Sequence, residues 1–107
     1  MKFSWTKVKK PIVALAPMAG WTDSAYRQIC KKVAPNIICF SELTSTNAIK
    51  YNNEKTLKML DFDKSEYPLI MQLFGNKPEF YIEAGKRLEQ LCIAGIDINM
   101  GCPARKV

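Results

Sequence analysis

One cysteine near the end of the chain has neighbours that could aim its side chain at a substrate. Cys102 follows Gly101 and precedes Pro103. Glycine permits an unusual backbone conformation or a close approach, and proline stiffens the chain after it. The sequence contains no histidine, the residue that commonly activates a cysteine nucleophile. Because a thiol is largely protonated at neutral pH, these residues favour a general acid over protease-type chemistry.

Two polar residues lie in the apolar run just before this cysteine. Asp97 and Asn99 alternate with Ile96, Ile98 and Met100. Successive side chains of a strand point to opposite faces, so both polar side chains should share one face. A buried polar group without a partner costs about 1–3 kcal/mol. The spacing therefore favours a ligand-binding role for Asn99, whereas structural and functional interpretations of Asp97 stay equally open.

Unusual residues also follow three earlier apolar runs. The stretches are Ala16-Pro17-Met18-Ala19-Gly20-Trp21-Thr22-Asp23, then Ser41-Glu42, and then Gln72-Leu73-Phe74-Gly75. In parallel α/β folds the active site lies at the carboxyl ends of the strands, where these residues would meet. A simpler interpretation makes Pro17 and Gly20 parts of a turn and Glu42 a solvated acid.

The elements that must position these residues are four short apolar runs with helical segments between them. The runs cover residues 12–15, 36–40, 68–74 and 96–100. The first three show little alternation, which is typical of strands that are covered on both faces. Strands that alternate with helices predict parallel pairing and right-handed crossovers.

Three helices are predicted between the runs. The first begins near Asp23 and buries a face made of Tyr26, Ile29, Cys30 and Val33. A weaker helical pattern covers residues 48–60. The third helix has capping-box spacing at Asn76 and Glu79, with Pro78 in its first turn, and ends at Gly95; its predicted buried face is Phe80, Ala84, Leu88 and Leu91.

The length limits the fold that these elements can form. A closed (β/α)8 TIM barrel needs roughly 250 residues, whereas this chain has 107. A parallel sheet that stops after the fourth strand leaves an unpaired edge. The sequence therefore predicts an α/β fold in which residues 1–107 form the N-terminal half, about four β/α units, of a TIM barrel. A complete open four-stranded sheet is the alternative.

Composition excludes some function classes. The chain is 48% hydrophobic and 24% charged, unlike collagen-like or low-complexity proteins. Its net charge of +6 suits a polyanion such as nucleic acid, an anionic membrane surface, or simple solubility. No cysteine pair has C-x-x-C spacing, so we expect no metal site, and Cys30, Cys39 and Cys92 are expected in the core of a reduced, cytoplasmic protein. No apolar run approaches the roughly 18 residues that span a membrane.

The strand-end motifs together resemble those of the tRNA-dihydrouridine synthases. The matching segments are Ala16-Pro17-Met18-Ala19-Gly20 with Thr22-Asp23, Ser41-Glu42, Gln72-Leu73-Phe74-Gly75, and Asp97-Ile98-Asn99-Met100-Gly101-Cys102-Pro103-Ala104-Arg105-Lys106-Val107. They occur in the order of that family and near its spacing, and they cover nearly the whole chain.

The resemblance implies an FMN-binding eight-stranded barrel followed by a helical tRNA-binding domain. It implies that NADPH or NADH reduces the flavin, which passes a hydride to C6 of a uracil in tRNA while a cysteine protonates C5. Cys102 would be that proton donor, and Asn99 would line the pocket beside uracil and flavin. Gln72 would hydrogen-bond the flavin ring, and Pro17, Met18 and Ala19 would border it, mainly through backbone atoms.

Further flavin contacts of the family lie on the second half of the barrel. We therefore expect these 107 residues alone to bind FMN weakly or not at all. Two other hypotheses stay open: an FMN barrel oxidoreductase acting on a free pyrimidine such as dihydroorotate, and an inactive RNA-binding half-barrel that associates with a second copy. The segment from Met100 to Lys106 fits the tRNA enzymes better.

Overall fold

The computed structural model describes residues 2–102 and shows a sheet with helices between its strands. The elements are β1 (Ala14–Leu15), α1 (Ser24–Val33), β2 (Ile38–Phe40), β3 (Thr44–Ser45), α2 (Thr46–Lys50), α3 (Glu54–Met59), β4 (Leu69–Phe74), α4 (Pro78–Glu89) and β5 (Gly95–Ile98), with 3-10 turns at Trp5–Lys7 and Lys64–Glu66. No helix within residues 2–102 is long and apolar enough to cross a membrane.

All strand pairs in the sheet are parallel. β1 pairs with β2, and β4 pairs with β5. Both β2 and β3 pair with β4, β2 beside its start at Leu69 and Ile70 and β3 beside its end at Leu73 and Phe74. These two short strands therefore act as one interrupted strand, and the sheet has four strand positions. The predicted α/β fold, with the arrangement of part of a TIM barrel, is confirmed.

Helix α1 begins as predicted but buries a different face. The Asp23 carboxylate accepts a hydrogen bond from the Tyr26 backbone N–H and caps the helix. The predicted apolar face is wrong, because Ile29 is 62% exposed and Val33 is 82% exposed. The helix instead buries Arg27 and Lys31. The charged group of Lys31 donates a hydrogen bond to the segment before β2, and that of Arg27 donates one to the segment before β4.

The predicted weak helix over residues 48–60 is two short helices. Asn52 separates α2 from α3 and has a left-handed φ of 53°. Asparagine adopts this conformation more readily than most residues. The next residue, Asn53, caps α3 by accepting a hydrogen bond from the Thr56 N–H.

Helix α4 confirms its predicted first turn and most of its buried face. It begins at Pro78, and Phe80, Ala84 and Leu88 are buried. The predicted capping box is wrong: Lys77 takes the cap position, and no side chain caps the helix. The helix ends at Glu89, and Gly95 starts the next strand instead of ending the helix.

The core lies between the sheet and the helices. It contains Cys39, Ile49, Leu60, Leu69, Met71, Leu73, Ala84 and Leu88. The expectation that three cysteines lie in the core holds only for Cys39, since Cys30 is half-buried and Cys92 is exposed. Cys92 lies in the turn after α4 and has a left-handed φ of 58°.

Candidate functional site

The carboxyl ends of the strands lie at one edge of the sheet because all pairs are parallel. In β4, Leu69, Met71 and Leu73 join the core under the helices. The intervening Gln72 therefore faces the opposite side of the sheet. The register places Asp97 of β5 directly beside Gln72.

Three hydrogen bonds connect the polar groups on this face into a row. Gln72 Nε2 donates to Asp97 Oδ2 at 2.6 Å, and Asn99 Nδ2 donates to Gln72 Oε1 at 3.4 Å. The backbone N–H of Gly101 donates to Asn99 Oδ1 at 3.0 Å. Gln72 is only 7% exposed. The structure thus brings Gln72 of β4 together with Asp97 of β5 and Asn99, which belong to a separate sequence motif.

Cys102 directly follows Gly101, whose N–H is the last group of this row. Its side chain is half-buried, and its thiol is free. Gly101 lies in neither a left-handed conformation nor a crowded position: within the described part of the chain, no atom comes within 4 Å of a Cβ built there. Within the described residues, the Gly101 N–H donates a hydrogen bond to Asn99 Oδ1 in this turn. Pro103 and the rest of the last motif, residues 104–107, lie outside the described residues.

The residues after β1 form a closed turn. The Met18 N–H donates to Thr22 Oγ1, and the Met18 carbonyl accepts the N–H groups of Trp21 and Thr22, all at 3.0 Å. Gly20 adopts a left-handed φ of 81°, which glycine allows without strain. The backbone of Met18 is therefore engaged inside the turn, while its side chain is 38% exposed.

The other two residues that the resemblance assigns to the flavin lie in the same stretch. Pro17 is half-buried and Ala19 is exposed. No hydrogen bond recorded for residues 2–102 joins residues 17–19 directly to Gln72 or Asn99.

Residues after β2 connect the turn after β1 to the polar row on β4 and β5. The Gly20 N–H donates to Glu42 Oε1 at 2.6 Å, so Glu42 holds the turn after β1. The adjacent Ser41 is buried, and its Oγ accepts the backbone N–H of Gln72 at 2.9 Å. Glu42 is thus a bonded part of this edge rather than a solvated acid. The turn after β1 and the polar row on β4 and β5 form one continuous edge.

Sequence reasoning missed a buried ion pair behind the turn. Arg27 Nε donates to Glu66 Oε1 at 2.5 Å, and Arg27 Nη1 donates to the carbonyl of Thr22 at 2.6 Å. The other oxygen of Glu66 accepts bonds from the Ser24 hydroxyl and the Asp63 N–H. The pair holds the end of the turn after β1. The two residues lie 39 positions apart, and no local spacing signals their contact.

The candidate site contains amides, the carboxylates of Asp97 and Glu42, one thiol and the exposed side chain of a methionine. Within residues 2–102, no three His, Cys, Asp or Glu side chains come close enough together to hold a metal ion. Pockets that bind small molecules combine apolar walls with a few aimed polar groups, and this edge presents such groups.

Comparisons with known proteins point to one family. A family model described as "Dihydrouridine synthase (Dus)" matches residues 14–107. A "Probable tRNA-dihydrouridine synthase" of Staphylococcus aureus is 31% identical over 105 residues, which cover 96% of this chain and 32% of the relative. "tRNA-dihydrouridine synthase B" of Pseudomonas aeruginosa is 39% identical over 93 residues, covering 87% of this chain and 28% of the relative.

A third relative gives a similar result. "tRNA-dihydrouridine synthase B" of Xanthomonas campestris pv. campestris is 37% identical over 97 residues, covering 91% of this chain and 29% of the relative. The chain spans less than a third of the length of the curated relatives it matches, and the match lies in their N-terminal portion.

Proposed function

Since the chain belongs to the dihydrouridine synthase family, we propose that residues 1–107 are the N-terminal part of the catalytic barrel of a tRNA-dihydrouridine synthase. The reaction is the reduction of the C5=C6 bond of uridine in tRNA. The cofactor is FMN, and NADPH or NADH is the reductant. The observation that carries this proposal is the bonded row of Asp97, Gln72 and Asn99, which ends at the turn before Cys102.

The chemistry of the described residues fits a flavin ring. A flat heteroaromatic ring needs an apolar wall and a few aimed hydrogen-bonding groups. Gln72 Oε1 accepts one long hydrogen bond and retains a lone pair for a further donor. The exposed Met18 side chain supplies apolar surface at the same edge. The residues that hold the FMN phosphate are expected on the second half of the barrel.

Each predicted site residue then has a distinct task. Gln72 binds the edge of the flavin ring, while Pro17, Met18 and Ala19 border the ring. Asn99 orients the uracil. When bound, FMN supplies the hydride that the reduction requires.

Cys102 holds the proton that is delivered to C5 of the uracil. A protonated thiol on a fixed turn is suited to this role, because the donor must approach the acceptor carbon on a defined trajectory. The hydrogen bond from Gly101 to Asn99 restrains that turn.

The proposed substrate agrees with the charge of the chain. A uracil in folded tRNA must leave its stack to reach a catalytic ring, which costs a few kcal/mol. Contacts between Lys or Arg and phosphates help to offset this cost, and they weaken steeply with salt. The net charge of +6 favours such contacts. With tRNA as partner, we place the protein in the cytoplasm.

The remaining alternatives concern the substrate and the state of the isolated chain. The relatives named tRNA-dihydrouridine synthase favour tRNA over a free pyrimidine. The exposed apolar residues Ile29 and Val33 on α1, together with Ile98 on β5, favour self-association of the isolated chain.

The experiment is a chimera in which this chain replaces the matching N-terminal segment of the Staphylococcus aureus relative; we call it the completed protein. We expect it to retain FMN on purification and to form dihydrouridine in tRNA when NADPH is supplied. Gln72→Leu should lower its affinity for FMN about tenfold, the scale of one strong buried hydrogen bond.

The exposed Gln90 at the end of α4 offers a matched control, because Gln90→Leu makes the same chemical change far from the strand ends. Equal FMN affinity in the two variants would contradict the role of Gln72. A folded chimera that holds FMN and reduces a free pyrimidine but not tRNA would contradict the proposed substrate.

A further inference from the structure

Asp97 lies at the start of the polar row, and within residues 2–102 its side chain makes no hydrogen bond to the turn of Cys102 or to the turn after β1. We propose that Asp97 is a positioning residue: it fixes the orientation of the Gln72 amide and, through Asn99, the turn that carries Cys102. This inference rests on the proposed function, because that function explains why the orientation of Gln72 and of the Cys102 turn matters. The arrangement itself is measurable without flavin or RNA.

The carboxylate of Asp97 determines which atom of Gln72 faces it. An ionised carboxylate only accepts hydrogen bonds, so the atom of Gln72 that faces Asp97 must be the NH2 group. The 2.6 Å contact between Gln72 Nε2 and Asp97 Oδ2 has this polarity. The Gln72 carbonyl oxygen is therefore turned away from Asp97 and towards Asn99. A neutral amide or hydroxyl at position 97 would not impose this choice, because it can both donate and accept.

The fixed amide of Gln72 next determines the orientation of Asn99. Since Gln72 presents an oxygen, Asn99 must present its own NH2 group to it, as the 3.4 Å contact shows. The oxygen of Asn99 is then left to accept the N–H of Gly101 at 3.0 Å. Each bond sets the polarity of the next, and the last one fixes the residue before Cys102.

Within residues 2–102, Asp97 makes a hydrogen bond and no ion pair. The ion pairs recorded among residues 2–102 are Arg27 with Glu66 and Lys50 with Glu83, and neither involves Asp97. The partner of the Asp97 carboxylate is the amide of Gln72. Within residues 2–102, the carboxylate of Asp97 thus acts as the acceptor at the start of the row.

The test measures the alkylation rate of Cys102 in the 107-residue chain. Purified chain reacts with iodoacetamide, and mass spectrometry of peptides follows each cysteine separately. In the Asp97→Asn variant we expect Cys102 to react about two- to tenfold faster, the range that corresponds to one net hydrogen bond. The exposed Cys92 is an internal standard whose rate should not change, and the buried Cys39 reports on folding by staying unreactive.

Two further variants distinguish a positioning role of Asp97 from a general loss of structure around Cys102. Asp61 is exposed and its side chain makes no recorded hydrogen bond within residues 2–102, so Asp61→Asn is a matched control that should leave Cys102 unchanged. Gln72→Leu should accelerate Cys102 to a similar degree, and Asp97→Asn should add nothing further in that background. If the two substitutions damaged the structure independently, their effects on the Cys102 rate would instead add.

An unchanged Cys102 rate in Asp97→Asn, or full additivity with Gln72→Leu, would overturn the inference. If Cys39 becomes reactive in Asp97→Asn, that variant has unfolded and does not test the inference. The Gln72→Leu variant, with Cys39 still protected, is then the test. An unchanged Cys102 rate in Gln72→Leu would overturn the inference. Because no flavin or tRNA is present, these outcomes are independent of dihydrouridine formation, which tests the proposed function.

Discussion

Arg27 of α1 and Glu66 before β4 form an ion pair in which the two side chains are 1% and 0% exposed. The same guanidinium holds the carbonyl of Thr22, the last residue of the turn after β1. One buried pair therefore connects a helix, the segment before the central strand and a turn at the candidate site. The oxygens and nitrogens of this pair have hydrogen-bond partners, which explains how two charges remain buried at this position.

Removing one partner of this pair should be strongly destabilising. Glu66→Gln leaves the buried Arg27 without a counter-charge, and we expect it to lower the free energy of unfolding by about 3–5 kcal/mol. Urea denaturation of the chain measures the effect. Glu83→Gln provides the control, because Glu83 pairs with Lys50 at the surface and such pairs contribute little. Equal effects of the two substitutions would contradict the structural importance of Arg27 and Glu66.

The glycine after β4 should not tolerate a side chain. A Cβ at Gly75 would lie 2.0 Å from Thr46 Oγ1, whereas one at Gly85 in α4 would meet its nearest neighbour at 3.9 Å. We expect Gly75→Ala to lower the free energy of unfolding by about 1–3 kcal/mol through overpacking. Gly85→Ala should raise it by up to about 1 kcal/mol, because alanine favours the helix.

The same contact predicts a rescue. Removing the hydroxyl with Thr46→Ala leaves only the Thr46 Cβ near position 75, at 3.3 Å. Thr46→Ala should therefore recover part of the stability lost in Gly75→Ala, as measured by a double-mutant cycle in urea. Strict additivity would show that the loss in Gly75→Ala has another cause.

The stability of the chain should depend on Cys39 at high pH. Burial raises the pKa of the Cys39 thiol above its ordinary value of 9.0, although Lys31 and Arg27 nearby act in the opposite direction. The unfolded thiol ionises near pH 9 while the folded thiol stays protonated. The stability that Cys39 contributes is thus fully present below pH 9 and declines as the pH rises above it.

This dependence can be measured by difference. The free energy of unfolding of the parent minus that of Cys39→Ala should fall between pH 8 and 10.5, with a slope of at most about 1.4 kcal/mol per pH unit. Cys39→Ala also removes the charge interaction between Cys39 and Lys31, so the difference includes the effect of this coupling; burial lowers the pKa of Lys31, and its contribution has the opposite sign. A flat difference for Cys39 would contradict its burial.

The exposed apolar face of α1 should mediate association of the isolated chain. Ile29 and Val33 lie one turn apart on this face. Placing two charges there with Ile29→Glu and Val33→Glu should shift the chain towards monomer in sedimentation velocity experiments. Ile82 on α4 is similarly exposed, so Ile82→Glu is a matched control. If only the control reduces association, the interface lies on α4 instead.

Some local features were predicted correctly, although the capping box at Asn76 and Glu79 and the helix end at Gly95 were wrong. Asp23 and Pro78 mark helix starts through backbone geometry and capping, which involve only neighbouring residues. The alternation of Asp97 and Asn99 placed both on one face because strand geometry fixes it. Parallel pairing followed from the alternation of strands and helices.

Features that depend on tertiary partners were not predictable in the same way. The contact between Gln72 and Asp97 requires the register of β4 against β5, which no single strand encodes. The apolar positions of α1 suggested a buried face, but the helix buries Arg27 because Glu66 lies opposite it. Where a charged residue has a buried partner, hydrophobic periodicity alone selects the wrong face.

The most direct test of the proposed chemistry is Cys102→Ala in the completed protein. FMN content, the rate at which NADPH reduces the flavin, and dihydrouridine formed in tRNA are measured on the same preparation. The account predicts unchanged FMN content and flavin reduction, with dihydrouridine formation slower by about 10²–10⁴-fold, the contribution of a general acid. Dihydrouridine formation at the parent rate would contradict it.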